Sequence, residues 1–425
     1  MHISQQLAAQ AVGQVLDGRN LSTVLEDIFR RHASITPQQR AVAQDLSYGT
    51  VRFYGRLQAV LDLLLQKPLT DEYIHHLLLV ALYQLSFDRA ASHTVVNQAV
   101  LAATKTKKSW AKGLVNAVLR NFLRQQPELE SHLEGNEEAL YSYPQWWINK
   151  LRQQYPQSWQ AMLEAGNEHP PMTLRVNRRH GDADSYLQEL HGAGLAATLL
   201  GDDAVVLERP TPVGRIPGFG EGRSSVQDYG AQFAALALDA QDGMRVLDAC
   251  CAPGGKTGHV LELADVAMTA MDNDEQRLQR VQENLDRLQL KAKLVVGDAA
   301  TPDTWWDGVP YDRILADVPC TASGIVRRHV DIKWLRREQD ISSFTQQQAV
   351  ILQGLWRLLA KGGKLLYVTC SVFHEENQQQ IDQFLHAHAD AKLLPYRHAQ
   401  LETTQGQLYP GKEHDGFFYA LLQKV

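Results

Sequence analysis

Cysteine is scarce in this chain of 425 residues: there are four, and no two are spaced as C-x-x-C. Cys250 and Cys251 are direct neighbours, which suits neither a zinc knuckle nor a disulfide framework, so all four thiols are expected free. His386 and His388 in "FLHAHAD" have no third ligand at sensible spacing; they read as a solvated helix face, and no metal is expected. Long apolar runs are also missing. The longest, such as "LLLVALY" at 77–83, fall well short of the roughly 20 residues that cross a bilayer, so no membrane span is expected. The N-terminal "MHISQQLAAQAVGQVLDGRN" has no basic leader and carries glutamine through its apolar stretch. It reads as an amphipathic helix and not a signal peptide, which implies a cytoplasmic location. Internal repeats and low-complexity tracts are absent. Nor is there an excess of positive charge: a net charge of −6 argues against a uniformly basic nucleic-acid binder.

What is present is a globular composition, 44% hydrophobic and 21% charged, long enough for about three domains. Residues 1–135 are dense in helical periodicity. Ile3, Leu7, Ala11 and Val15 recur at four-residue spacing, and "LSTVLEDIFRR", "AVLDLLLQ" and "YIHHLLLVALYQLSF" continue the pattern. The acidic stretch 124–144, with its Pro and Gly, reads as a boundary. Residues 145–222 have mixed character: a Trp-rich helix, a strand in "MTLRVN", a helix in "DADSYLQELHGAG" and strands in "ATLL" and "AVVLE" form a small α+β module. From 223 to 425, strands alternate with helices: "RVLDAC", "VAMTAMD", "AKLVVGD", "RILADVP" and "GKLLYVTC", with a last strand in "GFFYALLQKV". This is the pattern of an α/β doubly wound sheet, which places ligands at the carboxyl ends of its strands.

The first of those strands runs into "CCAPGGKTGHVLEL", where Gly254 and Gly255 let the backbone approach a bound molecule and the following helix offers unpaired N–H groups. The loop is not G-x-x-x-x-G-K-[ST], because the glycine needed five residues before Gly255 is missing, and a nucleoside triphosphate is disfavoured. Asp272 follows Asp248 at close to the roughly 20-residue spacing at which an acid grips ribose hydroxyls; the same stretch also reads as a helix N-cap. Asp298 and Asp317 end the third and fourth strands. A dinucleotide would favour G-x-G-x-x-G, which is missing. S-adenosylmethionine fits better, with its ribose on Asp272, its adenine on Asp298 and its amino-acid moiety over the glycine loop.

The fourth strand ends in Asp317-Val318-Pro319-Cys320, where methyltransferases of amino groups carry a [DN]-P-P-[YF] motif; a sulfur replaces the ring. Carbon 5 of a pyrimidine is a poor nucleophile until something adds to carbon 6, and a thiolate performs that addition well. The fifth strand ends in a second thiol, Cys370. Neighbouring strands lie about 4.8 Å apart, so Cys320 and Cys370 are expected on one rim, one attacking and the other assisting departure. Asp317 is expected to protonate or hydrogen-bond cytosine N3. Spacing does not say which cysteine attacks, and the position after a proline on the fourth strand, used by DNA cytosine-C5 enzymes, would nominate Cys320.

"DACCAPGGKT", "DVPCTASG", "RRHVDIKW" and "YVTCSVFHEEN" closely resemble the RNA cytosine-C5 methyltransferase family, and "HTVVNQAV" and "GLVNAVLRNF" resemble the helical RNA-binding fold of NusB. The resemblance covers essentially the whole chain. It implies a Rossmann-like S-adenosylmethionine-dependent methyltransferase preceded by a small α+β module and an all-α NusB-like domain. Its implied substrate is one cytosine of 16S ribosomal RNA, position 967, with no DNA or membrane partner and a monomeric enzyme. By the resemblance Cys370 is the nucleophile and Cys320 promotes product release. Cys250, Cys251, Ala252, Pro253, Gly254, Gly255 and Lys256, with Asp272, Asp298 and Asp317, would contact S-adenosylmethionine. Cys251 stands where Ala is usual, Val318 where Ala is usual, and "RRHVD" lacks a usual proline; Cys251 adds a possible redox liability. Three basic clusters, "KTKKSWAK" (105–112), "RVNRRH" (175–180) and "RRHVDIKWLRR" (327–337), each read alone as hydrated surface and together point to nucleic acid. A catalytically silent RNA-binding assembly or antitermination factor, and the same chemistry on tRNA, are the alternatives.

Overall fold

The computed structural model describes residues 1–88, 90–106, 108–201, 203–395 and 406–425. It divides into two compact units, one comprising Met1–Glu168 with Val326–Glu338, the other His169–Ile325 with Gln339–Val425. None of the described helices is long and apolar enough to cross a membrane.

The first unit is helical. The four-residue spacing at the N-terminus becomes helix His2–Leu16, which buries Leu7, Ala11 and Val15 and lays Ile3 half-buried on the same core. Helix Pro37–Arg52 starts at a reciprocal cap: Thr36 Oγ1 accepts from the Gln39 N–H, and the Gln39 side chain accepts from the Thr36 N–H. Helix Glu72–Phe87 is apolar nearly all round because Leu77 to Leu82 are all fully buried at the centre of the bundle. The stretch read as a boundary is largely helical: Lys112–Leu133 continues through Pro127, Glu137–Tyr141 follows, and the compact unit extends to Glu168.

Residues 326–338 belong to this helical unit, and their basic run is not the hydrated surface that its charges suggest. Arg327 and Lys333 are buried. Lys333 Nζ donates to the Arg52 carbonyl at 2.6 Å and to Asn167 Oδ1 at 2.8 Å, and lies 4.3 Å from the Tyr143 ring centre; burial pushes its pKa well below the usual lysine range. Asp331 accepts from the Leu21 N–H and from Asn20 Nδ2, both at 2.9 Å, placing a carboxylate at the start of helix Leu21–Arg31. In cluster 105–112, Lys107 lies outside the described residues, while Lys108 pairs with Asp71 and Trp110 is exposed.

The second unit holds two sheets. The smaller one contains β1 (Met172–Val176), β2 (Ala197–Leu199), β3 (Ala204–Leu207) and β4 (Ser224–Val226), antiparallel in the order β2-β3-β1-β4. Sequence patterning missed β4, and a division at 222/223 separates it from β1, to which it is hydrogen-bonded through Leu174↔Val226. The larger sheet contains β5 (Arg245–Ala249), β6 (Ala267–Asp272), β7 (Lys293–Val296), β8 (Tyr311–Asp317), β9 (Leu359–Thr369), β10 (Ala391–Leu394) and β12 (Phe417–Lys424), in the order β10-β12-β9-β8-β5-β6-β7, with β11 (Gln407–Leu408) on β12. Strands β5 to β9 are parallel; β12 pairs antiparallel with β9. Their near-continuous apolar character follows from burial on both faces: Leu315 of β8 packs into one layer of core, Ile314 and Ala316 into the other. Chain order reverses between β5 and β8, the switch point at which such sheets bind ligands.

The basic run at 175–180 is split: Arg175 is internal, while Arg178, Arg179 and His180 are exposed. Arg175 is fully buried, its guanidinium paired with Glu262 at 2.6 and 2.8 Å and donating to the Gly255 carbonyl at 2.9 Å and to Gln227. Arg178 pairs with Asp203 and Arg179 with Asp265. Removing one partner of a buried pair strands a charge. Arg175→Met should therefore lower the unfolding free energy by about 3–5 kcal/mol, whereas Arg175→Met with Glu262→Leu should regain most of it. Urea unfolding of the three proteins checks this; a double variant no better than the single would mean that the stranded carboxylate is not the cause.

Candidate active site

Parallel register decides which residues share an edge. Ala249 of β5 lies opposite Met271 of β6 and Ala316 of β8, Asp272 opposite Val296 of β7, and Asp317 opposite Val368 of β9. The chain therefore delivers Cys250, Asp272, Asp298, Asp317 and Cys370 at one edge of the sheet, the carboxyl end.

The glycine loop follows β5. Cys250 adopts a left-handed φ of 62°, and the Cys251 N–H donates to the Met271 carbonyl at 2.9 Å, tying the loop to β6. The Cys251 side chain turns into the core and burial pushes its thiol far up, so its contribution to the loop is its backbone, and its reactivity is low. Burial, followed by the charges of Asp317, Asp272 and Asp248, likewise raises Cys250. Ala252 is half-buried, Pro253 exposed. Gly254, at φ 94°, caps helix Gly255–Leu263; a Cβ there would press on Val281 at 3.1 Å. Gly255 opens the helix and has its carbonyl held by Arg175.

The acids divide into three kinds. Asp272 is buried; its Oδ2 accepts from the Ala252 N–H at 3.2 Å, and its Oδ1 from the Asp274 N–H at 3.2 Å and Arg277 at 3.3 Å. The N-cap of helix Glu275–Leu288 is Asp274, which leaves Asp272 as an acid fixed by the loop itself. Asp298 is exposed; its Oδ1 accepts from the Ala300 N–H at 2.9 Å, and its carbonyl from Trp305 Nε1 at 2.8 Å. Asp248, which sequence reading used only to measure spacing, lies beneath the loop. Its Oδ2 accepts from Thr257 Oγ1 at 2.5 Å, its Oδ1 has no protein partner, and burial pushes its pKa up to about 7.

Asp317 and Lys256 bridge the glycine loop and β8, Nζ to Oδ2 at 2.5 Å. Burial pulls the Lys256 ammonium down, but the Asp317 charge and hydrogen bond outweigh it and leave the pKa raised, so the lysine stays charged. The two thiols meet as their strand ends predict, Cys320 Sγ and Cys370 Sγ 3.4 Å apart, Cys320 buried and Cys370 half-buried. The adjacent Cys370 sulfur, then burial, then the Glu376 charge raise Cys320 well above an ordinary thiol. Thr321, Ser371 and Glu376, buried behind the sulfurs, were quoted in the motifs without a role. His386 is exposed, and His388 stacks on Phe384 at 4.0 Å between ring centres. Among the described residues, no group of three or more His, Cys, Asp or Glu is placed to hold a metal ion.

A glycine cradle at a helix N-terminus, an acid fixed at the end of the second strand and an exposed acid past the third define the class: a Rossmann-like methyltransferase, with S-adenosylmethionine as methyl donor. Residues 235–423 match the family model described as 16S rRNA methyltransferase RsmB/F, 143–214 the RsmF/B-like ferredoxin-like domain, and 2–124 the NusB family. Proteins named Ribosomal RNA small subunit methyltransferase B are similar along the whole chain. That of Serratia proteamaculans is 44% identical over 99% of this chain and 98% of its own length; that of Vibrio vulnificus is 43% identical over 98% of each. The crystal structure of PH0851 superposes with a TM-score of 0.82 at 25% identity, covering 100% of this chain and 99% of that one. A methyltransferase homologue from Pyrococcus horikoshii gives 0.60 at 27% over 68% of this chain and 98% of that one. The chain belongs to the RsmB/F family of 16S rRNA methyltransferases.

Asp248 supplies a titration test. Its pKa stands above the ordinary 3.8, so the folded chain favours the protonated acid. The stability it contributes is full below about pH 4 and is lost as pH rises through about 7. Asp248→Asn lacks that titration, and its unfolding free energy should gain on the wild type between about pH 4 and pH 7. Thermal or urea unfolding across that range reads the difference; a constant gap would show that Asp248 does not titrate there.

Proposed function

We propose that this enzyme methylates carbon 5 of a single cytosine of small-subunit ribosomal RNA, cytosine 967, through a covalent adduct between Cys370 and carbon 6 of the base. The observation that carries this reading is the pair of sulfurs 3.4 Å apart at adjacent strand ends, on the same edge as the Lys256–Asp317 pair. One thiol alone is commonplace. Two in hydrogen-bonding contact allow one to act as nucleophile while the other keeps its proton, and the raised pKa of Cys320 suits it to the second role. Cys370, the more exposed sulfur, is the one within reach of a base.

In the proposed sequence the Cys370 thiolate attacks carbon 6, and negative charge develops toward N3, where Asp317 in its protonated form donates a hydrogen bond or delivers its proton. Lys256 keeps the Asp317 carboxyl oriented. S-adenosylmethionine would be held by the 250–256 loop with Asp272 and Asp298, and the chemistry it would supply is an electrophilic methyl group. The carbon 5 proton then leaves to solvent, its electron pair expels the Cys370 thiolate from carbon 6, and Cys320 assists that departure.

RNA is the proposed macromolecular partner, and DNA is not. The NusB-like helical region (1–135) and the module at 145–222 capture it ahead of the catalytic region (223–425), a division supported by the separate family models over those stretches. All the named chemical groups come from one unit of one chain, so a monomer acting in the cytoplasm suffices.

Incubation of Cys320→Ser and Cys370→Ser with substrate RNA and cofactor tests the assignment. A long-lived protein–RNA adduct on a denaturing gel should appear for Cys320→Ser and not for Cys370→Ser, and turnover of Cys370→Ser should fall by about 10⁴-fold or more. The opposite adduct pattern would exchange the roles. Bisulfite mapping of ribosomal RNA from cells lacking the protein should show one lost 5-methylcytosine. An unchanged map, with RNA binding intact, would favour the catalytically silent alternative.

A further inference from the structure

Cys320 and Cys370 sit on different loops, and strand register by itself does not set sulfur against sulfur. One side chain spans both loops. Glu376 is fully buried, and its carboxyl faces four donors. Oε1 accepts from the Thr321 N–H at 2.8 Å and from Gln348 Nε2 at 3.1 Å; Oε2 accepts from Thr321 Oγ1 at 2.5 Å and from Ser371 Oγ. Thr321 directly follows Cys320, and Ser371 directly follows Cys370. Gln348 also donates to the carbonyl of Pro319, the residue before Cys320, at 2.9 Å.

Around this carboxyl the two loops are stitched further. Ser323 Oγ lies 2.9 Å from Ser371 Oγ and accepts from the Val372 N–H at 2.9 Å, while the Gly324 N–H donates to the Cys370 carbonyl at 2.8 Å. Four donors converging on one group require an acceptor at both oxygens. A carboxylate satisfies this; a glutamine amide would turn its NH₂ toward donors. Burial drives the Glu376 pKa upward against the hydrogen bonds from Ser371, Thr321 and Gln348. A buried acceptor of this kind is costly unless every bond is made, and here the bonds are made to the neighbours of both reactive sulfurs.

We propose that Glu376 is a positioning residue that holds Cys320 and Cys370 at reacting distance by bracing the residue after each thiol. It touches neither the reacting atoms nor the base, and acts through Thr321 and Ser371. The inference rests on the reading that the two thiols work together.

The test uses the full chain and reads thiol proximity apart from catalysis. Diamide, a diazene, takes two electrons and two protons from a pair of nearby thiols, leaving a disulfide and a hydrazine. In the wild type it should join Cys320 to Cys370 quickly, as counted by mass spectrometry of the linked peptides. Glu376→Gln should slow that closure by about tenfold or more and lower kcat by about 10²-fold, with KM for RNA and Kd for S-adenosylmethionine within about twofold. Thr321→Val and Ser371→Ala each free one loop while keeping Glu376; they should slow closure in the same direction and carry the test if Glu376→Gln does not fold. Wild-type closure in both of these variants overturns the proposal, as does slowed catalysis with unchanged closure. Closure needs neither RNA nor cofactor. A fully active Cys370→Ser would therefore defeat the catalytic reading while the closure rates still decide the role of Glu376.

Discussion

Parallel hydrogen bonding between β8 and β9 sets Asp317 opposite Val368, and so brings to one edge two thiols that lie 50 residues apart in the chain. The pairing is possible because both strands are buried on both faces, so their register is held by core packing as well as by ladder bonds. The β5–β6 and β5–β8 ladders extend the same alignment to the glycine loop and to Asp272. A one-residue slip in any of them would swap side chains between the two core layers and move a functional group away from the common edge.

Electrostatically, this edge is an acidic basin with two cations beside it. Asp248, Asp272 and Asp317 each act on the neighbouring ionisable groups, and Lys256 and Arg277 are the charges that answer them. Burial raises Asp248 to about 7, so close to neutrality this acid is divided between its two forms. A cationic sulfonium donor is a species that such a field accommodates.

Much of the site was legible because strand ends are legible. Continuous apolar runs closing in Asp, Pro or Cys marked β5, β6, β8 and β9, and parallel topology then required their ends to meet. β4 escaped notice because "SSV" has neither length nor alternation, and only its pairing with β1 defines it. The basic clusters misled for a different reason: charge in a sequence carries no sign of burial. Arg175, Arg327 and Lys333 are among the largest fully buried side chains of the protein, Arg175 held by a carboxylate and Lys333 by a carbonyl distant in sequence. Glu376 was in plain sight beside "TCS", but its bond to Thr321 spans 55 residues, and no local pattern announces a partner at that distance.

The segment 326–338 interrupts the catalytic unit between β8 and β9 and is counted, by its packing, with the helical one. Val330 lies in the helical core, Trp334 donates to the Val51 carbonyl at 2.7 Å, and Asp331 braces the start of helix Leu21–Arg31. The helical region is thus no detachable appendage. Trimming the gene back to its catalytic half would strip the burial from Val330, Trp334 and Lys333, a few residues downstream of Cys320. Shuffling of the two regions among related enzymes would have to exchange this internal patch together with the N-terminal part.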